Sequence, residues 1–300
     1  MARASALDWD DLRYVLAVAR HGSLLAAARA LAVEHTTVGR RVASAERALT
    51  TTLFARHQTG LTLTADGERI LAALARVEDA VMAAERQAHA VDSSMVGEVV
   101  VTAPESFGIG WLAPRLATFA AHHPGLHVVL EPSGAVKDLS RREAEVALRT
   151  FRTRDPAIVA RRACEIGYAL YASRAFLSRA PVRRARDLVD RPLLAGPESD
   201  REVRWLRALT GDVAPRFTCV VAVALVAAAR AGAGVAVLPR YLGDAEPELV
   251  EVALPDAPPA PHDTLWLTVH KDLRATPRVR AVKDFLVDAL AREASALRGA

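Results

Sequence analysis

The stretch SLLAAARALAVEHTTVGRRV, residues 23–42, followed by LTTTLFARHQTGLTLTADGE, residues 49–68, decides how the first part of this chain folds. Ser23 precedes an alanine-rich run and reads as an N-cap, and Ala26-Ala27-Ala28 offers only methyl groups, as needed where two helices cross closely. The turn Ala32-Val33 separates this helix, 24–31, from another at about 35–48. There Val38, Val42, Ala45 and Leu49 recur at spacings of 4, 3 and 4, leaving His35, Thr36, Gly39 and Arg40 on the opposite side. Upstream, Asp8 caps a helix that buries Leu12, Val15, Leu16 and Ala19 and stops at His21-Gly22, with Asp11 echoing a capping box. Downstream, Leu53-Phe54, Arg56 to Gly60 and the alternating Leu61-Thr62-Leu63-Thr64 predict a small hairpin. Short helices around a tight turn, small residues at their crossing, a polar outer face and a following hairpin describe a winged helix-turn-helix.

Such a unit is expected to read double-stranded DNA. Phosphate contacts set register and base-edge contacts select sequence. Arg40 and Arg41 suit phosphate or the guanine O6/N7 edge, Thr36 and Thr37 can donate to phosphate at a helix N-terminus, and His35 can reach a major-groove acceptor. Ser23, and Arg56 and Thr59 at the wing, complete the expected DNA-binding set. Glu34 repels phosphate and is read as a helix-dipole partner or a cytosine N4 acceptor.

After the hairpin, Ile70, Leu74, Val77, Val81, Ala84, Ala88 and Val91 follow one another at alternating intervals of four and three, a heptad seam. Charged residues such as Glu68, Arg76 and Glu85 lie largely off it. Ile70, Leu74, Val77 and Val81 are expected to hold a homodimer, against the alternative that the stripe packs on the chain's own domain. Texture changes near 93–97, where short β-branched runs begin to alternate with amphipathic stretches: Val99-Val100-Val101, 107–121, Val128-Val129-Leu130, 136–143 and Val146-Ala147-Leu148. That alternation predicts parallel-sheet βαβ units. The expected division is 1–66 for the winged helix-turn-helix, 67–94 for the linker helix and 95–300 for an α/β domain of two lobes. Lobe I takes about 95–160 and 264–300, and lobe II about 161–263. Strands are expected at 98–103, 126–131, 145–149 and 264–270 in lobe I and at 166–171, 192–195, 217–221 and 234–238 in lobe II. A helix at 277–293 closes the first.

Ligands bind beyond the C-terminal ends of strands in open α/β sheets. By that rule the interlobe cleft is lined by Ala103 and Pro104, Glu105 and Ser106, by Arg149, Thr150 and Phe151, by Gly196, Pro197 and Glu198, and by Thr218 to Ala222, including Val220. The helix 222–231 adds backbone N–H groups that can hold an anion. Gly232 and Gly234 follow a helix and precede a strand, the reverse of a dinucleotide fingerprint, and predict a tight turn.

Composition narrows the function classes. At 300 residues, 51% hydrophobic and 25% charged, with formal net charge +4, the chain has ample core material. Cys164 and Cys219 have no metal-ligand spacing and are expected to be buried structural thiols; no metal or cofactor is expected. The His122-His123 pair is placed at a helix end, where imidazole suits the dipole. Acids at Asp8, Asp10 and Asp11 interrupt any signal-peptide core and no long uncharged apolar run follows, so a cytoplasmic location without membrane contact is expected. No G-x-S-x-G elbow, P-loop or H-E-x-x-H is present, which argues against an enzyme.

The two strings at 23–42 and 49–68 closely resemble the LysR-type transcriptional regulators, and the likeness extends to the whole chain in layout. It implies a winged helix-turn-helix, a linker helix and a two-lobed effector domain like the periplasmic binding proteins, whose cleft takes a small-molecule effector. It also implies homotetramers built from dimers, bound upstream of a promoter, with RNA polymerase as a further contact. Where the family often has Ser-Gln-Pro this chain has Glu34-His35-Thr36, so His35 and Thr36 imply different base preferences, and Gly39 replaces a frequent Ser whose hydroxyl would contact phosphate. A solute-binding protein of the same two-lobed fold is the alternative; it accounts for residues 97–300 alone.

Overall fold

A computed structural model of the chain describes residues 7–57, 60–91, 95–198, 200–211 and 213–299. It divides into two units, Met1–Glu85 and Arg86–Ala300.

The first unit contains α1 (Trp9–His21), α2 (Leu24–Ala30), α3 (His35–Leu49), the antiparallel hairpin of β1 (Phe54–His57) and β2 (Gly60–Leu63), and most of α4 (Ala65–Val91). Asp8 caps α1 by accepting the Asp10 amide, and Gly22 ends it at φ 71°, returning its N–H to the Val18 carbonyl at 2.9 Å. Ser23 caps α2 by accepting from the Ala26 amide at 3.1 Å. Ala27 and Ala28 are buried where the helices meet, together with Leu12, Val15, Leu16, Val38, Val42, Ala45 and Leu53. Two side chains do more than the sequence pattern disclosed. Glu46 accepts the Leu53 and Phe54 amides, fixing the entry to the wing, and Arg20 pairs with Glu78 of α4. Asp11 is not a capping-box partner: it is buried and accepts from Arg41.

The start of α4 belongs to this same core. Leu74 is only 5% exposed inside it and Ile70 is packed against it. Of these two expected dimer residues, Leu74 is therefore covered by its own unit and Ile70 partly so. Val77 remains exposed and Val81 half-buried; the side chains of Ala88 and Val91 lie outside the described residues.

The second unit is built on a nine-stranded mixed sheet. Its strands are β3 (Gly97–Ala103), β4 (Leu126–Pro132), β5 (Val146–Arg149), β6 (Ile158–Ser173), β7 (Leu193–Ala195), β8 (Phe217–Thr218), β9 (Val235–Pro239), β10 (Leu249–Glu251) and β11 (His262–His270). Helical elements are α5 (Glu105–Phe107), α6 (Ala113–Ala121), α7 (Arg174–Arg179), α8 (Arg201–Thr210), α9 (Ala222–Arg230), α10 (Arg240–Gly243), α11 (Pro277–Arg292) and α12 (Ala294–Arg298), with a π-helical turn at Gly108–Leu112 joining α5 to α6. In lobe I, β3 runs parallel to β4 and β5, and β11 lies antiparallel between β5 and β6. In lobe II, β9 lies between β6, to which it is antiparallel, and β7, to which it is parallel, and β7 carries β8 at the edge. Helix α11 buries Val279, Val282, Leu286 and Ala289 against lobe I at helical spacing.

Strand β6 joins the lobes. Residues 158–167 pair with β11 and residues 168–171 with β9, so the change of partner falls at Gly167 and Tyr168, later than the crossing expected at 161. Gly167 admits α12: a Cβ there would stand 2.1 Å from the Arg298 carbonyl oxygen. The expected strand at 166–171 is the second half of this longer element, whose first half carries the exposed Arg161 and Arg162 that mask its pattern.

Two further expectations change. Residues 136–143 form turns instead of an amphipathic helix, because Asp138 Oδ1 captures the Ser140 and Arg141 amides and Arg142 takes φ 62°. The strand expected at 217–221 is only Phe217–Thr218, since Val221 already caps α9.

Candidate nucleic-acid interface and interlobe cleft

Helix α3 is oriented by what it buries. With Val38, Val42 and Ala45 fixed inward, the 3.6-residue period turns His35, Thr36 and Arg40 to solvent, all three exposed, and leaves Thr37 half-buried at the edge. Arg40 makes no hydrogen bond among the described residues and is available to an anionic partner. Thr36 Oγ1 lies 3.4 Å from Glu34 Oε2, and Glu34 stands at the N-cap without bonding a backbone amide. The α3 N-terminus therefore has no side-chain cap; the Thr37 amide donates to the Glu34 carbonyl at 3.0 Å, and the His35 and Thr36 amides face the side open to phosphate.

Arg41 behaves differently. Its Nη1 donates to Asp11 at 2.9 Å, Nη2 lies 3.3 Å from Asp10, and the guanidinium sits 5.9 Å from the Tyr14 ring centroid. The Asp11 bond raises its pKa further. Arg41 thus fastens α3 to α1, and its charge is already neutralised. The sequence held a signal for this: Asp11 stands four residues before Val15, on the buried face of α1. Ser23 spends its oxygen as acceptor on the α2 cap while its O–H can still donate. Arg56 is placed in β1 opposite Leu61, but its side chain lies outside the described residues, as does Thr59 altogether. The wing is tied to the α1–α2 turn through the Leu61 amide, which donates to the Gly22 carbonyl at 3.1 Å.

In the second unit a cavity of about 460 Å3 opens between the lobes. Of the expected cleft residues, Pro104, Glu105, Ser106, Arg149, Phe151, Gly196 and Val220 all line it. Thr218 does not, and neither do Ala103, Pro197, Glu198 and Val221, whereas Thr150, Cys219 and Ala222 of the expected set do. Cys164 and Cys219 consequently part ways. The first is buried with its thiol pushed up to about 12, chiefly by desolvation, and the second is half-buried facing the cavity.

The strand-end rule finds more than was drawn from it: β4 ends at Pro132, and Ser133 to Val136 form part of the same wall. What the sequence hid was the acidic side. Asp200, Glu202 and Asp263, brought together by α8 and the start of β11, line the cavity beside Tyr168, whose hydroxyl donates to Asp263 at 2.9 Å. Burial, reinforced by Asp200 and Asp263, pushes Glu202 up to about 7. Arg149 is 7% exposed, its Nη2 donates to the Lys137 carbonyl at 3.0 Å, and desolvation lowers its pKa.

A hydrogen bond links α5 to α9 across the cleft: the Ala222 amide, first of α9, donates to Ser106 Oγ at 2.8 Å. The helix N-terminus expected to be free for an anion is thus partly occupied. Ser106→Ala should leave that amide unpaired, and its hydrogen exchange should accelerate roughly threefold to tenfold, the worth of one neutral hydrogen bond at ~0.7–1.4 kcal/mol. Unchanged exchange at Ala222 would mean that this bond does not hold the lobes.

Residues 9–68 match the family model described as "Bacterial regulatory helix-turn-helix protein, lysR family", and residues 93–291 match "LysR substrate binding domain". Among characterised relatives, the Mau operon transcriptional activator of Paracoccus denitrificans is 29% identical over 290 residues, 95% of this chain and 97% of that one. An HTH-type transcriptional regulator of Xanthomonas campestris is 30% identical over 172 residues, covering 57% of this chain and 50% of its own length. The full-length structure of the Vibrio cholerae virulence activator AphB superposes with a TM-score of 0.61 at 24% identity, over 94% of this chain and 99% of that one.

Proposed function

Because this chain belongs to the LysR family of bacterial transcriptional regulators, we propose that it reads promoter DNA through His35, Thr36, Thr37 and Arg40 of α3, with Ser23, Arg56 and Thr59 as flanking contacts. The observation that carries the assignment is the outward polar face of α3, fixed by the burial of Val38, Val42 and Ala45. Arg41 is left out of the reading face, since its guanidinium is bonded to Asp11.

The effector domain senses a small molecule in the interlobe cavity, contacted by Pro104, Glu105, Ser106, Arg149, Phe151, Gly196 and Val220. A ligand shifts such a protein only through different affinities for two lobe arrangements, and the bond from Ala222 to Ser106 belongs to one of them. The match of residues 9–68 favours a regulator over a solute-binding protein, which has no use for a helix-turn-helix. Among the described residues no helix is long and apolar enough to cross a membrane.

The working division is a DNA-binding part, 1–66, a linker helix, 67–94, and an effector domain, 95–300, assembled as a homodimer and further as a tetramer. A second copy doubles the DNA contacts of one small winged unit. The intermolecular seam consists of Val77 and Val81, the positions left over once Ile70 and Leu74 enter their own core. Val77→Asp with Val81→Asp should sediment as monomer and bind DNA weakly, whereas an intact dimer would remove the seam. Footprinting of the full-length protein on the DNA upstream of its own gene, with and without metabolites, tests the whole reading. Absence of protection on every promoter fragment at low ionic strength would overturn it.

A further inference from the structure

The charges inside the interlobe cavity are arranged in a way that restricts what it can hold. Arg149, at the end of β5, is more than nine-tenths buried, yet among the described residues no carboxylate pairs with it. Its one hydrogen bond, to the Lys137 carbonyl, leaves most of its five donors unused. A guanidinium withdrawn from water without a counter-ion is costly, and the cost is recovered when an anion arrives in a bidentate geometry.

The opposite charge has its own unmet requirement. Glu202 is partly buried in the first turn of α8, and among the described residues the favourable charge it feels is that of Arg204 two positions on, with no salt bridge within 4 Å. Asp200 precedes it, and Asp263 approaches from β11, where Arg201 reaches one oxygen at 3.9 Å and Tyr168 donates to the other. Burial first, and the neighbouring carboxylates of Asp200 and Asp263 second, make the ionisation of Glu202 costly. A simple anion bound at Arg149 would share the cavity with this acidic group, and a simple cation would leave Arg149 unsatisfied. The same cavity is lined by the apolar side chains of Ile166, Leu225, Val237 and Leu265, and by the exposed Val136, Phe151 and Val220. The volume, about 460 Å3, accommodates a small molecule.

We infer that the effector is a small zwitterion of amino-acid type, its carboxylate held by Arg149, its ammonium by Glu202 with Asp200 and Asp263, and its aliphatic stem by the apolar wall. This rests on the cavity being the effector site, and the test separates the two.

Titration calorimetry on the full-length protein compares ω-amino acids of two to six carbons and the α-amino acid norvaline with valerate and pentylamine, which keep one charge each. At least one zwitterion should bind ten or more times tighter than either singly charged probe. Glu202→Gln, nearly isosteric, should abolish that advantage while leaving valerate unaffected, and Arg149→Met should do the same while leaving pentylamine unaffected. If Arg149→Met fails to fold, judged by its melting curve without ligand, Glu202→Gln decides alone. Valerate or pentylamine binding as tightly as every zwitterion overturns the inference and spares the cavity. Silence of the whole series also overturns it, leaving the cavity to be tested with neutral aromatics. A zwitterion whose affinity neither substitution moves is bound elsewhere, and both the inference and the cavity reading then fall.

Discussion

Val38→Asp should leave the N-terminal unit unfolded and abolish operator binding on every sequence, while the effector domain still melts cooperatively. Val38 is fully buried in the core shared by α1, α2 and α3. Removing its side chain forfeits ~1.5–3 kcal/mol of apolar burial, and an unpaired carboxylate in its place adds several kcal/mol more. A domain's whole stability is only ~5–15 kcal/mol, so the sum exhausts most or all of it. Thermal melting followed by circular dichroism checks this: part of the helical signal should be missing at the lowest temperature, with a filter-binding loss beyond a hundredfold. An unaltered melt would mean that α3 is rotated about its axis, and that the face assigned to DNA is the wrong one.

Arg40→Ala and Arg41→Ala, adjacent in sequence, should fail in different ways. Arg40 is exposed and makes no bond among the described residues, so its loss should change stability by less than ~0.5 kcal/mol. Operator affinity should nevertheless fall about tenfold to a hundredfold, corresponding to ~1–3 kcal/mol. If the contact is to phosphate, the salt dependence flattens by about one counterion; if it is to guanine, preference relaxes at one base pair. Arg41→Ala should instead lower the melting temperature, because Asp11 is then left buried without its cation. Below that lowered transition its operator affinity should fall less than that of Arg40→Ala. Equal affinity losses with equal stability would return Arg41 to the reading face.

The contrast between these two arginines shows how far the sequence could be read. Periodicity placed both on a recognition helix, and it placed Val38, Val42 and Ala45 beneath them, because a single helix's geometry fixes which residues share a face. It could not assign Arg41, which lies between faces and is claimed by Asp11, thirty positions earlier. Leu74 is similar: its heptad spacing is genuine, but α4 begins against the core of its own unit, so the first part of the apolar stripe is spent there and Val77 and Val81 are what is left for the proposed seam.

In the effector domain, the strand-end rule located the cleft because a parallel strand's C-terminal edge is defined by local sequence. Pro104 to Ser106, Arg149 and Phe151, Gly196 and Val220 were legible in that way. Asp138 shows the limit in the other direction, since a capped turn and an amphipathic helix can share one hydrophobic pattern, and a side chain's hold on two amides decided between them.

Sequence by itself determined the winged helix-turn-helix, the α/β lobes and the family, because each depends on spacings of a few residues and on turn chemistry. Only the tertiary structure decided which charges are already spent and which remain to meet a ligand. Arg41 found Asp11, whereas Arg149 and Glu202 line one cavity with no salt bridge to either among the described residues. The physical reason is that desolvation and ion pairing depend on what the fold brings within a few ångströms, and those neighbours come from distant parts of the chain.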